Sequence, residues 1–196
     1  ALRGVSVCSP RGAGLMMSLA NKVSLMRILL VPIFAASLVY YSPAHDHLRY
    51  LSFTLFLIGM ATDAVDGFIA RSQHQHTELG RVLDPIADKL LILTALIGLS
   101  TIRAIPPDMR IPAWFNVIVI SRDVVLVIGT MLIFGFTGKW SVRPSWLGKA
   151  AVAAQMLVVA VVLLRLPIKL EVMTLAAVLS VVSGIGYVRM GSRLLS

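Results

Sequence analysis

The chain has 196 residues, of which 58% are hydrophobic and 14% are charged, whereas a typical soluble domain is about 45–50% apolar and about 25% charged. This composition excludes an ordinary soluble domain and favours a membrane protein that crosses the bilayer several times. The net charge is +9, but the basic residues lie mainly at the edges of apolar runs, so we expect them to orient the chain and meet anionic headgroups rather than nucleic acid.

The first segment, residues 1–20, contains arginine and serine but no acidic residue. It loosely resembles a transit peptide. The alternative is a stretch that precedes a true start at Met16 or Met17. We expect a disordered or interfacial leader here, followed by one membrane domain over residues 21–196.

Six apolar stretches follow the leader, each close to the length of about 20 residues that a membrane helix needs. Segments rich in turn and breaker residues, such as SPAHDH, SQHQHTELG and AIPPDMR, separate them. We therefore predict an all-α polytopic membrane protein with six transmembrane helices. The predicted spans are roughly 24–41, 49–70, 82–102, 111–136, 147–165 and 170–190.

Lysine and arginine are distributed unevenly between the two sets of loops. Eleven of them lie on the side of the termini and of loops 71–81 and 137–149, and five lie on the other side. By the positive-inside rule, both termini and the 71–81 loop should be cytoplasmic, or should face the equivalent compartment of an organelle.

Four of the nine acidic residues lie where the second and third predicted helices meet the cytoplasmic interface. Asp63 and Asp66 are three residues apart, and Asp84 and Asp88 are four apart, so each pair shares one helix face. The connecting loop is short, so the two helices should be antiparallel neighbours and the four carboxylates should converge. Carboxylates crowded in a poor dielectric require a cation, and they favour hard divalent ions such as Mg²⁺, Mn²⁺ or Ca²⁺.

Two divalent ions that share a carboxylate would suit an in-line phosphoryl displacement. The alternative is that some of these acids form structural salt bridges with Arg71, Arg81 or Lys89. Burying four carboxylates for structure alone would be too costly, so we favour the metal site. Small residues beside the acids leave room either for helix packing or for a flat ligand group. Arg71 would either meet a phosphate or extend to the interface.

The acids and their neighbours form one continuous pattern, Asp63-x2-Asp66-Gly67-x2-Ala70-Arg71-x8-Gly80-x3-Asp84-x3-Asp88. This pattern resembles, without a mismatch, the signature of the CDP-alcohol phosphatidyltransferase family. Six predicted helices also match that family, so the resemblance covers the chain from about Asn21 onward.

The resemblance implies an integral membrane homodimer that transfers a phosphatidyl group from CDP-diacylglycerol to an alcohol and releases CMP. It also implies two divalent metal ions, Mg²⁺ or Mn²⁺. By the match, Asp63, Asp66 and Asp84 would ligate the metals, with Asp88 close to the second metal. Asp88 would also be the catalytic general base on the hydroxyl of the acceptor.

The remaining positions of the signature would bind the CDP-linked lipid. By the resemblance, Gly67 and Ala70 would make room for the cytidine, and Arg71 would contact the diphosphate. Gly80 would keep the site open beside the third helix. We expect the membrane to be a bacterial inner membrane, or else a mitochondrial inner membrane, with the active site facing the cytoplasm or the matrix.

Three basic residues outside the signature form a candidate pocket for a phosphate on the acceptor, namely Arg122, Arg143 and Lys149. The segments ISRD and WLGKAAVAAQM resemble the branch of the family that uses glycerol phosphate and the branch that forms cardiolipin. We therefore predict sn-glycerol 3-phosphate as acceptor, with phosphatidylglycerol as the alternative and inositol phosphate as a third. A structural role is also open, because Arg122 could pair with Asp123 or a neighbouring helix, and Lys149 could be an interfacial lysine.

A function of another class, a divalent-cation transporter, would also use carboxylates within a membrane. Such a path would need acids at several depths of the bilayer. Here they gather at one end of one hairpin, and Asp123 is the one other acid in the interior of a predicted span. This clustering favours the enzyme.

Overall fold

The computed structural model describes the backbone of residues 19–73, 78–137 and 146–195, and the side chains of residues 26–62, 89–129, 131 and 146–189. Within these ranges the chain is all-helical, as predicted, and contains no strand. The predicted leader falls almost entirely outside them. The long helices are α1 (Leu19–Val39), α2 (His47–Gln73), α3 (Glu78–Thr101), α4 (Ala113–Thr137), α5 (Trp146–Leu163) and α6 (Lys169–Leu195).

Prolines and one residue with a left-handed backbone conformation occur in the connections between the described helices. Residues that precede a proline avoid the helical region, and both Ser42 and Pro106 have extended ψ values, of 157° and 154°. Short 3-10 turns follow them, at Pro43–His45 and Pro107–Met109. The α5 helix ends differently, because Arg165 has a positive φ of 55°. The amides of Arg165 and Leu166 then bond back to the last turn of α5, in a Schellman-type C-cap.

The contacts between helices close a ring in the order α2, α1, α3, α4, α6, α5, and α3 also touches α2 and α5. Each helix contributes a fully buried apolar side chain to one core. These include Phe34, Phe56, Leu96, Phe115, Val159 and Ala176. The ring therefore surrounds a packed interior to which every helix contributes.

Polar side chains link neighbouring helices inside this ring. Because little water competes for hydrogen bonds between packed helices, such links help to fix which helices are neighbours. They are Ser37 Oγ to Ser52 Oγ at 2.7 Å, Asn116 Nδ2 to the Leu96 carbonyl at 3.0 Å, Gln155 Nε2 to Ser180 Oγ at 3.1 Å and Arg49 Nη1 to the Leu163 carbonyl at 3.1 Å.

The outer surface of the ring is apolar. Val117 and Met131 are 66% and 68% exposed, and many other large aliphatic side chains also point outward. Three described stretches are long and apolar enough to cross a membrane, namely Pro107–Gly129, Trp146–Leu163 and Lys169–Arg189. Two shorter apolar stretches are Met26–Val39 and Lys89–Thr101. Among the described residues, three helices are thus long and apolar enough to span a membrane, which agrees with the composition, and the six predicted spans stay a prediction.

The α1–α2, α3–α4 and α5–α6 connections meet at one end of the ring, which we call the loop end. Arg165 donates to the Tyr41 hydroxyl at 2.7 Å and pairs with Asp108 at 3.2 Å. Lys169 donates to the carbonyl oxygen of Asp108 at 2.8 Å. The side that was predicted to carry fewer basic residues is thus one continuous surface, and the second halves of α2 and α4 extend away from it.

Candidate functional site

The eight residues of the signature lie within two continuous helices. Helical geometry therefore places each pair of acids on one face, as the spacing predicted. Their side chains lie outside the described ranges, so their proposed roles stay predictions. They are Asp63, Asp66, Gly67, Ala70 and Arg71 in α2 and Gly80, Asp84 and Asp88 in α3. Arg143 also lies outside the described residues.

The chemistry of the signature acids fits a divalent ion. Among the side chains that the structure describes, no group of three His, Cys, Asp or Glu residues is placed to hold a metal. The candidate ligands that the sequence predicts are the four aspartates, which offer only oxygen donors. Oxygen ligands of this kind suit Mg²⁺ or Mn²⁺ better than softer ions.

The two helices that carry the signature approach each other closely beside it. Gly59 of α2 faces Leu91 of α3, and a Cβ added at the glycine would overlap the Cδ2 atom of the leucine. Gly59 lies one turn before Asp63, and Leu91 lies three residues after Asp88. This contact is thus within about one turn of Asp63 and Asp88, the nearer acid of each pair.

A chain of charged and polar side chains connects α3, α4 and α6 immediately beyond the signature. We call it the charge chain and define it as Lys89, Asp123, Arg122 and Ser183. Lys89 Nζ lies 2.5 Å from Asp123 Oδ2, and Arg122 Nη1 lies 2.7 Å from Asp123 Oδ1. Arg122 Nη2 donates to Ser183 Oγ at 2.9 Å. Arg122 thus makes both contacts of the structural role that the sequence left open, one with Asp123 and one with a neighbouring helix.

The charge chain carries more positive than negative charge, and two of its three charged side chains are largely buried. The side chain of Arg122 is 6% exposed and that of Asp123 is 12% exposed, while Lys89 is 37% exposed. Two cations share one carboxylate, so the described chain has a net charge of +1. In addition, Arg122 Nε is buried and has no hydrogen-bond partner among the described residues. An excess cation with a spare donor favours the binding of an anion.

Lys149 occupies a different environment from Arg122. It is exposed in the first turn of α5, and its ammonium lies 5.8 Å from the ring centroid of Trp146, which is 87% exposed. Such a cation–π contact is typical of interfacial side chains. By helix rise, Lys149 lies about 21 Å and Arg122 about 14 Å from the loop end, so the two differ in depth by more than one turn.

A groove between α4 and α6 contains a basic residue that sequence reasoning did not select. Arg122 and Arg189 both line this groove, which has a volume of about 510 Å³ and includes Ser121 and Ser180. Most of its lining is apolar, and Val181 and Val188 of this lining are exposed on the outer surface. From the sequence, Arg189 contributed only to the count of basic residues that predicted the orientation of the spans. Ser183 gave no signal, because a lone serine in an apolar helix is ordinary.

Comparisons with known proteins bear on what this arrangement does. The family model described as CDP-alcohol phosphatidyltransferase matches residues 17–183. A probable phosphatidylglycerophosphate synthase of Mycobacterium tuberculosis is 33% identical over 176 residues, which cover 87% of this chain and 80% of that protein. A CDP-diacylglycerol–glycerol-3-phosphate 3-phosphatidyltransferase of Bacillus subtilis is 37% identical over 169 residues, which cover 79% and 81%. A Pseudomonas fluorescens protein of that name is 33% identical over 153 residues, covering 77% and 74%.

Proposed function

The chain belongs to the CDP-alcohol phosphatidyltransferase family and is a membrane transferase of phospholipid synthesis, and we propose that it moves the phosphatidyl group of CDP-diacylglycerol to sn-glycerol 3-phosphate. CMP is the second product. The choice of a phosphorylated acceptor rests on the net positive charge of the charge chain. This chain begins at Lys89, the residue after Asp88. The names of the relatives support the same acceptor.

The proposed transfer is a substitution at one phosphorus atom. The acceptor hydroxyl attacks the phosphorus that bears the diacylglycerol, and the bond from that phosphorus to the oxygen of CMP breaks. Asp88 accepts the hydroxyl proton, as a carboxylate within hydrogen-bond reach can do. Two divalent ions, Mg²⁺ or Mn²⁺, would neutralise the diphosphate and the leaving CMP when bound. Asp63, Asp66 and Asp84 would hold them, with Asp88 beside the second.

The donor lipid would bind along the hairpin of α2 and α3. Gly67 and Ala70 leave space for the cytidine, Gly80 keeps the opposite helix clear, and Arg71 pairs with the diphosphate. The acyl chains stay in the bilayer while the headgroup enters the ring. The contact between Gly59 and Leu91 supports this arrangement, because it joins the two signature helices within about one turn of Asp63 and Asp88.

The acceptor phosphate would bind to a pocket that includes Arg122, with Arg143 and Lys149 toward the cytoplasmic interface. The described residues support Arg122 best, because it is buried, carries a spare donor and belongs to a chain with excess positive charge. Arg189 joins this pocket through the groove between α4 and α6. Lys149 would act closer to the membrane surface, where its exposure places it.

The proposed setting is a homodimer with six membrane spans in each chain and with both termini on the cytoplasmic or matrix side. The membrane would be a bacterial inner membrane or a mitochondrial inner membrane. The three loops that meet at the loop end support this topology, because they hold fewer basic residues than the other side.

The proposal is tested by CMP release from CDP-diacylglycerol with purified protein in detergent. Sn-glycerol 3-phosphate, phosphatidylglycerol and inositol phosphate are supplied in turn, with Mg²⁺ or Mn²⁺ and with a chelator. We expect metal-dependent release with glycerol 3-phosphate. Faster release with phosphatidylglycerol would instead identify a cardiolipin synthase. An absence of CMP release with every acceptor would contradict the proposed enzymatic activity and would favour a divalent-cation transporter.

A further inference from the structure

Asp123 bridges two cations that belong to different helices. We propose that Asp123 is a positioning residue, whose carboxylate holds the Arg122 guanidinium in the orientation that receives the acceptor phosphate. This inference rests on the proposed function, because it needs a phosphorylated acceptor. It concerns a residue outside the signature whose proposed role is to orient another side chain.

The contact between Arg122 and Asp123 is not one that helix geometry produces by default. Neighbouring residues on a helix point about 100° apart, so consecutive side chains do not face each other by default. Here Arg122 extends to Ser183 of α6, Asp123 extends to Lys89 of α3, and the two side chains still meet at 2.7 Å. Their contact is therefore made in the interior, between three helices.

The two bonds of Arg122 fix its guanidinium plane. Nη1 donates to Asp123 and Nη2 donates to Ser183, so both ends of the planar group are held by side chains on different helices. Nε remains as a buried donor with no partner among the described residues. A guanidinium held in this way loses little conformational freedom when an oxyanion binds, and preorganised groups of this kind bind more tightly.

The second oxygen of Asp123 connects this arrangement to the α3 helix. It pairs with Lys89, the residue that follows Asp88 in α3. One carboxylate therefore connects the arginine proposed for the acceptor phosphate to the helix that carries the proposed base.

Asp123 also balances the charge within the charge chain. With the carboxylate in place, two cations and one anion leave a single positive charge for the ligand to neutralise. Without it, two cations would face each other with little solvent, and they would move apart or toward other partners. The expected loss is therefore one of acceptor binding rather than of the chemical step.

The test is the variant Asp123→Asn, which keeps the shape of the side chain and removes its charge. We expect the KM for sn-glycerol 3-phosphate to rise about tenfold, because a charge-assisted hydrogen bond to Arg122 is lost. The KM for CDP-diacylglycerol should change by less than about twofold and kcat by less than about threefold, because the signature itself is intact. Acceptor binding is measured separately, as the shift in melting temperature with added glycerol 3-phosphate and without donor lipid.

Two further variants keep the inference falsifiable. Asp46→Asn is the matched control, because Asp46 also pairs with an arginine but lies at the loop end. It should leave the KM for glycerol 3-phosphate unchanged. Ser183→Ala removes the other support of Arg122 without changing charge, and it should raise that KM about threefold even if Asp123→Asn does not fold.

The failure of the inference is distinct from that of the proposed function. An unmodified protein without CMP release dependent on glycerol 3-phosphate would contradict the function itself. With an active unmodified protein, an unchanged or lower KM in Asp123→Asn would overturn the positioning role. An equal rise in KM for both substrates, or an equal effect of Asp46→Asn, would overturn it as well.

Discussion

Gly59 of α2 packs against Leu91 of α3 so closely that even one additional carbon on the glycine would overlap the leucine side chain. Leu91 is itself buried in the core, so it has little room to move away. This pair fixes how the two helices contact each other within about one turn of Asp63 and Asp88. A metal site made from two helices depends on that contact.

Gly59→Ala should therefore weaken both the fold and the metal response. Forcing a methyl group into a packed contact typically costs about 1–3 kcal/mol. We expect a lower melting temperature and a higher Mg²⁺ concentration for half-maximal activity. Gly129→Ala is the matched control, because nothing lies within 4 Å of a Cβ at that position. Its helix should gain up to about 1 kcal/mol. Equal effects of both changes on the metal response would contradict the role of the Gly59 contact.

Asp88→Asn should abolish catalysis without unfolding the protein. An asparagine cannot accept the hydroxyl proton, and removal of a general base typically costs about 10²–10⁴ in rate. The measurement is CMP release at saturating glycerol 3-phosphate, together with the melting temperature in the same detergent. Asp108→Asn, at the opposite end of the molecule, is the control and should retain activity. Full activity of Asp88→Asn would remove Asp88 from the mechanism.

At Arg165, the backbone conformation and the side-chain contacts should affect the stability of the fold in opposite directions. Its left-handed backbone costs a residue with a Cβ roughly 1–2 kcal/mol, which glycine would not incur. Both Arg165→Gly and Arg165→Ala lose the contacts with Tyr41 and Asp108. We therefore expect Arg165→Gly to be the more stable of the two variants by about 1 kcal/mol in thermal unfolding. The reverse order would show that the backbone conformation at this C-cap is not strained.

Asp46 should make the stability of the loop end depend on acid pH. Its carboxylate accepts hydrogen bonds from Arg49 at 2.7 and 3.0 Å, and these bonds lower the pKa of Asp46 below its ordinary value of 3.8. A lowered pKa in the folded state stabilises the fold above that ordinary value. The contribution is lost as the pH falls through the lowered pKa.

The corresponding experiment compares the unmodified protein with Asp46→Asn in unfolding measurements across pH. The difference in melting temperature should be constant above about pH 5 and should shrink as the pH falls below the ordinary aspartate pKa. A difference that grows on acidification would contradict the assignment of the pKa shift to the pair with Arg49.

The sequence predicted the helices well, because spans such as 111–136 combine length and apolarity with turn residues on both sides. It also singled out Arg122 and Asp123, because charged residues stand out in an apolar helix. It did not predict Ser183 as a partner of Arg122 or Leu91 as a neighbour of Gly59. The sequence predicted that α2 and α3 are neighbours but not which of their residues meet, and it did not predict that α4 packs against α6.

Two other features escaped prediction for local reasons. Arg165 occupies a left-handed position where glycine would be expected, so the sequence predicted an end of the fifth span near residue 165 but not this C-cap. The predicted basic pocket included Arg143, which lies outside the described residues, and it joined Arg122 to Lys149 on their charge and on the resemblance to the family. In the structure one is buried between helices and the other is exposed beside Trp146, because the depth of each depends on packing.

The most direct test of the central proposal follows the acceptor into the product. Purified protein is incubated with CDP-diacylglycerol, Mg²⁺ and deuterium-labelled sn-glycerol 3-phosphate, and the lipids are identified by mass spectrometry while CMP is measured. We predict one labelled phosphatidylglycerophosphate for each CMP released. Release of CMP without label in the lipid would contradict transfer to glycerol 3-phosphate.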